Sequence, residues 1–426
     1  MSFLTKILLN EIPAFSSVYS TVIEPIEKFD QPFRNEYTFN IYQRALDVLI
    51  LPKYSEYEIE FELINKANDT AALNVDVAGV GNPPVGAIQA TEPKMSPQNL
   101  LIYTIFKNTR TWLNNELISD FFDLQDHAAY LSHLFSASNP CKKSQSQILG
   151  YFKDDFTKEG IENPGIAARA KMSKNGKTFK LRGRLFNSLF LQDKPILASD
   201  IVLKFFRNDP LKVVFGPCRL KLNTFKIHLV CGRLLADPAL QISRQLNQSP
   251  ENYHSSQIEM NTFHLTDYTH GTLKNISTGS LPNYVMIAFQ ADTRFNGGEN
   301  FARFYYKDPG VSRVWLSNQN LQFPMNSIYK IDRTNKSYIE IYKNMFTQTK
   351  ISSVDFDVED VANGYFILTF DLSENFDRNI RSTQDSSDLQ LHLDFHERQT
   401  GLNVIICLIR NMTISVNNLR QTQLTF

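Results

Sequence analysis

The sequence predicts an all-β protein made of two equivalent domains in tandem, and three observations point there. The first is an internal echo. The only two tryptophans stand in similar settings: Trp112 in Arg110-Thr111-Trp112-Leu113-Asn114-Asn115-Glu116-Leu117 and Trp315 in Arg313-Val314-Trp315-Leu316-Ser317-Asn318. Each reads as a strand entering an Asn-rich tight turn and returning. They lie close to half of the 426-residue chain apart, a period that fits tandem domains rather than a solenoid. The second is period-two alternation, clearest in Tyr57-Glu58-Ile59-Glu60-Phe61-Glu62-Leu63 and again from Leu389 to His396, which describes strands with one wet face. The third is composition: 32 Phe and 17 Tyr, with Gly, Pro and Asn punctuation between short apolar runs, suit sandwiches or barrels.

Along the chain, strands are expected at Thr38–Tyr42, Asp47–Leu51, Tyr57–Leu63, the Trp112 hairpin, Phe179–Phe190, Ile201–Phe206 and Leu211–Phe215. A second series follows at Phe225–Leu235, Gln257–Leu265, Tyr284–Gln290, the Trp315 hairpin, Gly364–Phe370, Leu389–Phe395 and Leu402–Ile409. Val404–Ile409 is apolar throughout and is expected to be covered on both faces. The order repeats: after each Trp hairpin come a helix candidate, a Gly-led strand (Gly183, Gly364) and a strand pair. In the first half that pair is Ile201–Phe206 with Leu211–Phe215. The domain boundary is accordingly placed near Gly216-Pro217, with no flexible linker, so the domains should pack side by side. Two helices are expected: one with Leu124, Ala128, Leu131 and Phe135 on a single face, capped by Asp123, and one opened by a Ser337/Glu340 capping box.

Lys+Arg and Asp+Glu both number 44, which removes any global electrostatic drive toward nucleic acid or an anionic membrane. Cys141, Cys218, Cys231 and Cys407 show no metal or disulfide spacing and read as reduced structural thiols. Met1–Ile12 does not read as a signal peptide, and no apolar run is long enough to span a membrane.

Few motifs suggest chemistry. His392, Asp394 and His396 share one strand face and form a candidate metal set, weighed against the plain polar face of a sandwich strand. A bicupin enzyme would host such a site, but the first domain has no equivalent near Phe205. The stretch Arg169–Arg184 is basic without an acidic residue, and Lys171, Lys174, Lys177 and Lys180 are candidate phosphate contacts. Its bland reading is a hairpin with solvated lysines. Gly79-Val80-Gly81 lacks the rest of a dinucleotide loop, and no nucleophile elbow or Walker loop occurs. No residue is assigned a catalytic role, no cofactor is expected, and the chain is not expected to be an enzyme.

Collinear segments carry a family resemblance. Asn10–Phe15, Thr21–Glu24, the Trp112 hairpin, His127–Leu131, Lys142–Gln145, Gly183-Arg184-Leu185 and Phe190–Asp193 occur in order, as do Phe295–Gly298, Asn363-Gly364-Tyr365, Phe370–Ser373 and the closing Leu391–Ile409 run. Over nearly the whole chain this resembles the double jelly-roll major capsid proteins of polinton (Maverick) elements and adintoviruses. Asp69–Pro97, rich in Pro and Ala, departs from the family pattern. The chain is also short for the wider lineage, which implies modest outer loops.

The resemblance implies two tandem eight-stranded jelly rolls with a few short helices in the loops: an arm over 1–29, a first roll over 30–216 and a second over 217–426. It implies a pseudo-hexagonal homotrimer tiling an icosahedral shell around a DNA genome, with neighbouring trimers, a single jelly-roll penton protein and minor capsid proteins as partners, and nonspecific contact with packaged DNA. The virion capsid is the expected location, after synthesis in the host cytoplasm, with assembly in the nucleus as one route. Ile12, Phe15, Val18, Tyr19, Val22 and Ile23 are the arm residues expected to reach a neighbour, or equally to fold back on their own sheet. The rivals are a β-sandwich protein binding carbohydrate or protein, expected to show an exposed aromatic platform, and the bicupin enzyme.

Overall fold

The computed structural model describes residues 15–28, 34–65, 95–173, 177–197, 199–277, 279–318, 321–323, 329–331, 338–349, 354–372 and 388–426. The strands of the first half are β1 (Phe15–Ile23), β2 (Glu36–Gln43), β3 (Val48–Ile50), β4 (Glu56–Asn65), β5 (Ser96–Pro97), β6 (Phe106–Leu113), β7 (Glu116–Ser119), β8 (Phe179–Arg184), β9 (Ser199–Arg207), β10 (Val214–Phe215) and β11 (Cys218–Leu234). Those of the second are β12 (Glu251–Leu265), β13 (Tyr268–Ser277), β14 (Tyr284–Ala291), β15 (Val311–Asn318), β16 (Leu321–Phe323), β17 (Tyr329–Lys330), β18 (Ile367–Asp371), β19 (Leu389–Gln399), β20 (Leu402–Val416) and β21 (Thr422–Thr425).

Four sheets hold nearly all of them. The first half forms β1-β11-β4-β8, with β3 beside β11, and β2-β9-β6-β7. The second forms β12-β20-β14-β18, with β21 beside β20, and β13-β19-β15-β16, with β17 beside β15. Setting aside the short side pieces β3, β5, β10, β17 and β21, each half has eight main strands. Counted in chain order they are arranged first-eighth-third-sixth and second-seventh-fourth-fifth, identically in both halves, and every pair within them is antiparallel. That order, in which the chain crosses between two facing sheets, is the jelly roll. The fold is two tandem jelly rolls.

Local chemistry explains the elements. Tyr57, Ile59, Phe61 and Leu63 of β4 are buried while the intervening glutamates are not. Leu402 to Leu408 is buried without interruption, as the apolar run requires. The β6–β7 turn uses Asn114 and Asn115 at φ 49° and 74°, the left-handed pair that a tight hairpin needs and that Asn tolerates. Trp112 and Trp315 both lie on the fourth strand of their roll, opposite the seventh, at Val202 and His392 respectively. Gly183 on β8 and the Gly364-led β18 are likewise matched sixth strands.

Five expectations need correction. Leu211–Phe215 is not a strand throughout: Asp209 caps a helical turn over Pro210–Val213, and only Val214–Phe215 is extended, against β5. Asp-Pro is a helix-start signal, with the carboxylate accepting an amide hydrogen and proline at the first position. The eighth strand of the first roll is therefore β11, which follows Gly216-Pro217 and hydrogen-bonds to β1, β3 and β4. By sheet membership the division falls at the helix Ala236–Gln248, and β1, expected as part of an arm, is the first strand of the first roll. Phe179–Phe190 also ends early, because Asn187 caps a helical turn at Ser188–Leu191. Finally, the helix Gln125–Ser136 starts from Leu124 without a side-chain cap, and Asp123 pairs instead with Lys107 at 2.6 Å. The Ser337 cap and nearly all of the Pro- and Ala-rich loop lie outside the described residues.

The first roll's core is aromatic. Phe225 of β11 meets Tyr37, Phe39, Tyr57, Phe106 and Phe205, with ring centroids between 4.7 and 5.8 Å, joining the two sheets. A single cluster of buried apolar residues runs from there through both rolls.

Candidate functional site

Two features stand out: a polar seam built between the rolls, and the charged or uncharged outer faces of their sheets. The seam begins at the helix Gln125–Ser136 of the first roll. Asp126 Oδ2 accepts from Arg303 Nε (3.0 Å) and Nη2 (2.9 Å) of the second roll and from Asn208 Nδ2 (3.2 Å). Both charged side chains are 1% exposed. Burial alone would raise the Asp126 carboxyl, but the Arg303 guanidinium overrides it and holds it below the usual range. Arg303 also donates to the carbonyls of Arg294 and Phe295, so the guanidinium is well satisfied. Its own amide donates to Gln98 Oε1, whose amide nitrogen donates to Phe301 O.

Next to it, His127 is fully buried, with Nδ1 3.0 Å from Tyr306 Oη, and burial lowers its pKa to about 3. Tyr130 stacks on Phe304 at 4.1 Å. Lys142 Nζ donates to Leu134 O (2.7 Å) and meets Asp355 Oδ1 (3.2 Å), while Tyr151 donates to Asp355 Oδ2 (2.6 Å). Lys153–Asp360, Tyr365 to Asp154 O, Lys194–Glu251 and Tyr253 Oη accepting from Leu197 N extend the contact.

Two glycines allow the close approach. A side chain on Gly364 (φ +114°) would strike the Phe156 ring, and one on Gly297 (φ +85°) would strike the Leu211 carbonyl. Chemically the seam joins the two rolls through buried ion pairs, hydrogen bonds and stacked rings. A groove of about 650 Å³ runs along it, lined by Ser132, Leu191 and Gln192 of the first roll and His254, Ile409 and Asn411 of the second.

The outer face of the first sheet is a charge ladder. Arg184, Arg182 and Lys180 of β8 stand opposite Glu56, Glu58 and Glu60 of β4, and Lys226 and Lys221 of β11 stand opposite Glu58 and Glu62. Arg182 donates to Glu58 at 2.5 Å, which lowers that carboxyl, and Lys221 reaches Glu62 at 3.3 Å. The basic stretch is thus largely absorbed. Arg169 is buried against Asp154 (3.0 Å), Lys180 approaches Glu58 (3.9 Å), and Arg184 pairs with Asp193 (2.9 Å). Lys171 and Lys177 are exposed, and Lys174 lies outside the described residues.

The candidate metal set does not converge. His392 stacks on Trp315 at 4.7 Å, and its Nδ1 and Nε2 sit 2.7 Å from the hydroxyls of Thr272 and Ser317. Asp394 pairs with Arg313 at 3.2 Å and His396 points to solvent. Both imidazole nitrogens are committed to hydroxyls, so the set has no shared coordination point, and no metal-ligand cluster occurs among the described residues. Two half-buried aromatics lie under cations: Lys204 sits over the Trp112 ring and Arg110 over Phe206. All four cysteines are free thiols, and burial raises Cys218 and Cys407 to about 12. No described helix is long and apolar enough to cross a membrane.

Of the arm residues, Ile12 lies outside the described residues and the others sit on β1, paired with β11 of their own chain. Phe15 covers Gly232, while Val18 (57%), Tyr19 (40%) and Val22 (50%) are exposed. The sequence reading gave no role to the seam residues Asp126, Arg303, Lys142 and Asp355. The available signal was Arg303, a lone cation inside Phe301-Ala302-Arg303-Phe304-Tyr305-Tyr306, where only a buried partner makes the charge tolerable.

No protein-family model matches the sequence, and no curated protein sequence matches it. Solved structures do. A chain of the Sputnik virophage structure aligns with TM-score 0.64 at 10% identity, covering 97% of this chain and 89% of that one. The mavirus major capsid protein aligns with TM-score 0.55 at 10% identity (96% and 90%), and the Faustovirus major capsid protein with 0.54 at 6% (94% and 91%). At these identities the likeness establishes the fold, a double jelly roll along almost the full length of each chain.

Proposed function

We propose that this chain is a major capsid protein of the polinton/adintovirus type. It forms homotrimers that tile an icosahedral shell around a DNA genome. The observation that supports this best is the repeated strand order of two rolls locked by a buried seam. Two similar rolls fixed side by side become, in three copies, six similar rolls about one axis. Such a block has near-hexagonal outline and can tile a flat facet. Assembly then depends on interface energetics, with a large apolar contact inside the trimer and weaker contacts between trimers. A formal net charge of zero removes long-range repulsion between copies.

Penton and minor capsid proteins would complete the shell at positions a pseudo-hexagonal block cannot fill. Contact with packaged DNA would fall to exposed Lys171 and Lys177, through charge alone. On this reading the protein resides in the virion after synthesis in the host cell, and it performs no catalysis.

The test is the mass of the purified protein by light scattering, with negative-stain images of the same peak. A species near three times 49.0 kDa with pseudo-hexagonal views is expected. A monomer that never assembles at any salt or concentration would sink the reading.

A further inference from the structure

Sheet edges differ sharply in how they are protected. An unpaired edge strand is a template for another chain, and proteins blunt it with charge, proline, bulges or brevity. Here β8 carries Lys180, Arg182 and Arg184, β12 carries Glu251 and Glu259, β13 carries Lys274 and an irregular register, and β2 carries Glu36. The remaining edges β7, β16 and β18 are short. β1 has only an irregular register at its first residues, between Phe15 and Ser17, and is regular from Ser17 to Ile23. Its nine residues, Phe-Ser-Ser-Val-Tyr-Ser-Thr-Val-Ile, hold no charge and no proline, and Ser16 to Val22 is exposed on both faces. Among the described residues, β1 pairs only with β11.

The strand is also self-complementary. Laid antiparallel against a copy of itself with Ser20 opposite Ser20, it sets Val18 opposite Val22, Tyr19 opposite Thr21 and Ser17 opposite Ile23. Four exposed valines then cover one another on one face, and each tyrosine meets a β-branched residue on the other, a favourable cross-strand combination. A strand with no charge meets its copy without repulsion, and a twofold contact closes on itself rather than growing into a fibre.

We propose that the free edge of β1 is a self-pairing surface: two copies of this chain join antiparallel along Phe15–Ile23 about a twofold axis at Ser20. The inference deepens the assembly reading and rests on it for the purpose the contact serves. Its physical premise is the edge alone.

The test uses the full chain in a Cys141→Ser background, which removes the one thiol that is not buried. Ser20→Cys places two thiols directly opposite, within the separation that a disulfide needs. Val18→Cys is the register control, since Val18 and its copy stand about 14 Å apart, four residues at ~3.4 Å each. Ser20→Lys sets two ammonium groups face to face at an exposed position that leaves the monomer fold, checked by thermal melting, unchanged.

The expected result has three parts. Ser20→Cys forms disulfide-linked chain pairs on mild oxidation. Val18→Cys does not, although it cross-links when mixed with Val22→Cys. Ser20→Lys abolishes concentration-dependent association in sedimentation velocity beyond the smallest stable species. Association unchanged by Ser20→Lys overturns the proposal, as does a wild type that shows none. Association sensitive to Ser20→Lys without Ser20→Cys cross-links gives the edge to a different strand and overturns self-pairing. Whether the smallest stable species holds one chain or three bears on the trimer reading alone, so the two can fail separately.

Discussion

Single residues at the seam set what this protein tolerates. A buried ion pair adds little net stability against a well-packed apolar substitute, but removing one partner strands a charge. Asp126→Ala should therefore cost about 3–5 kcal/mol in denaturant unfolding, and Asp126→Leu with Arg303→Met should recover most of it. Gly364→Ala should lower the melting temperature as well, because the new methyl group meets Phe156 in a backbone conformation that alanine disfavours.

The histidines add a pH dependence with a definite sign. Burial lowers His127 to about 3 and His133 to about 4, from an unfolded value of 6.5. Below pH 6.5 the unfolded chain takes up protons that the folded chain refuses. Stability is complete above pH 6.5 and falls toward pH 4, by up to about 1.4 kcal/mol per pH unit for each histidine. Asp126, whose folded pKa is lowered, adds its own loss only at more acid pH. Melting curves from pH 7 to pH 4 should show the decline, and His127→Phe should make it shallower. Little of this was legible beforehand. His127 and His133 occupy a helix whose apolar face was readable, but their burial depends on a second roll closing over that helix.

Elements were far more legible, for reasons their own residues supply. The alternation of β4 and β19 is a local consequence of one wet face, and the two Trp hairpins mark the same strand in each roll because both face the same seventh-strand neighbour. The boundary was misread because Leu211–Phe215 is apolar enough for a strand, while the preceding Asp209-Pro210 starts a helical turn. That one substitution of elements displaced β11 into the wrong roll. The charge ladder was half legible. The glutamate row of β4 and the basic row of β8 each stood out, but their pairing is a long-range register. Exposed pairs of this kind are worth about 0–1 kcal/mol each, so Glu56→Gln, Glu58→Gln and Glu60→Gln together should barely change stability. They should, however, leave Lys180 and Arg182 uncompensated, and the triple variant should leave heparin at clearly higher salt than the wild type. Equal elution would mean that the glutamates do not neutralise the basic strand.

At the scale of the molecule, duplication and fusion have different consequences. Duplication gives each roll the full strand order of a self-sufficient jelly roll, so each has its own paired sheets. Fusion removes that independence, because the apolar core is continuous through both rolls and the seam buries Asp126–Arg303 and Lys142–Asp355 between them. Were one roll to unfold alone, it would leave the other with buried charges lacking partners and with aromatic faces, such as Tyr130 against Phe304, open to water. That cost ties the two halves into one cooperative unit despite a length at which chains usually divide into independent domains. The wild type should therefore unfold in a single calorimetric transition, with calorimetric and van't Hoff enthalpies in agreement. A variant that empties the seam, Asp126→Ala with Lys142→Met, should unfold in two steps, because each roll keeps its own sheets while the coupling between them is lost. Two transitions in the wild type would mean that the seam positions the rolls without coupling their stability. A trimer built on such a joint could flex between its two halves, and a flat facet requires that it does not.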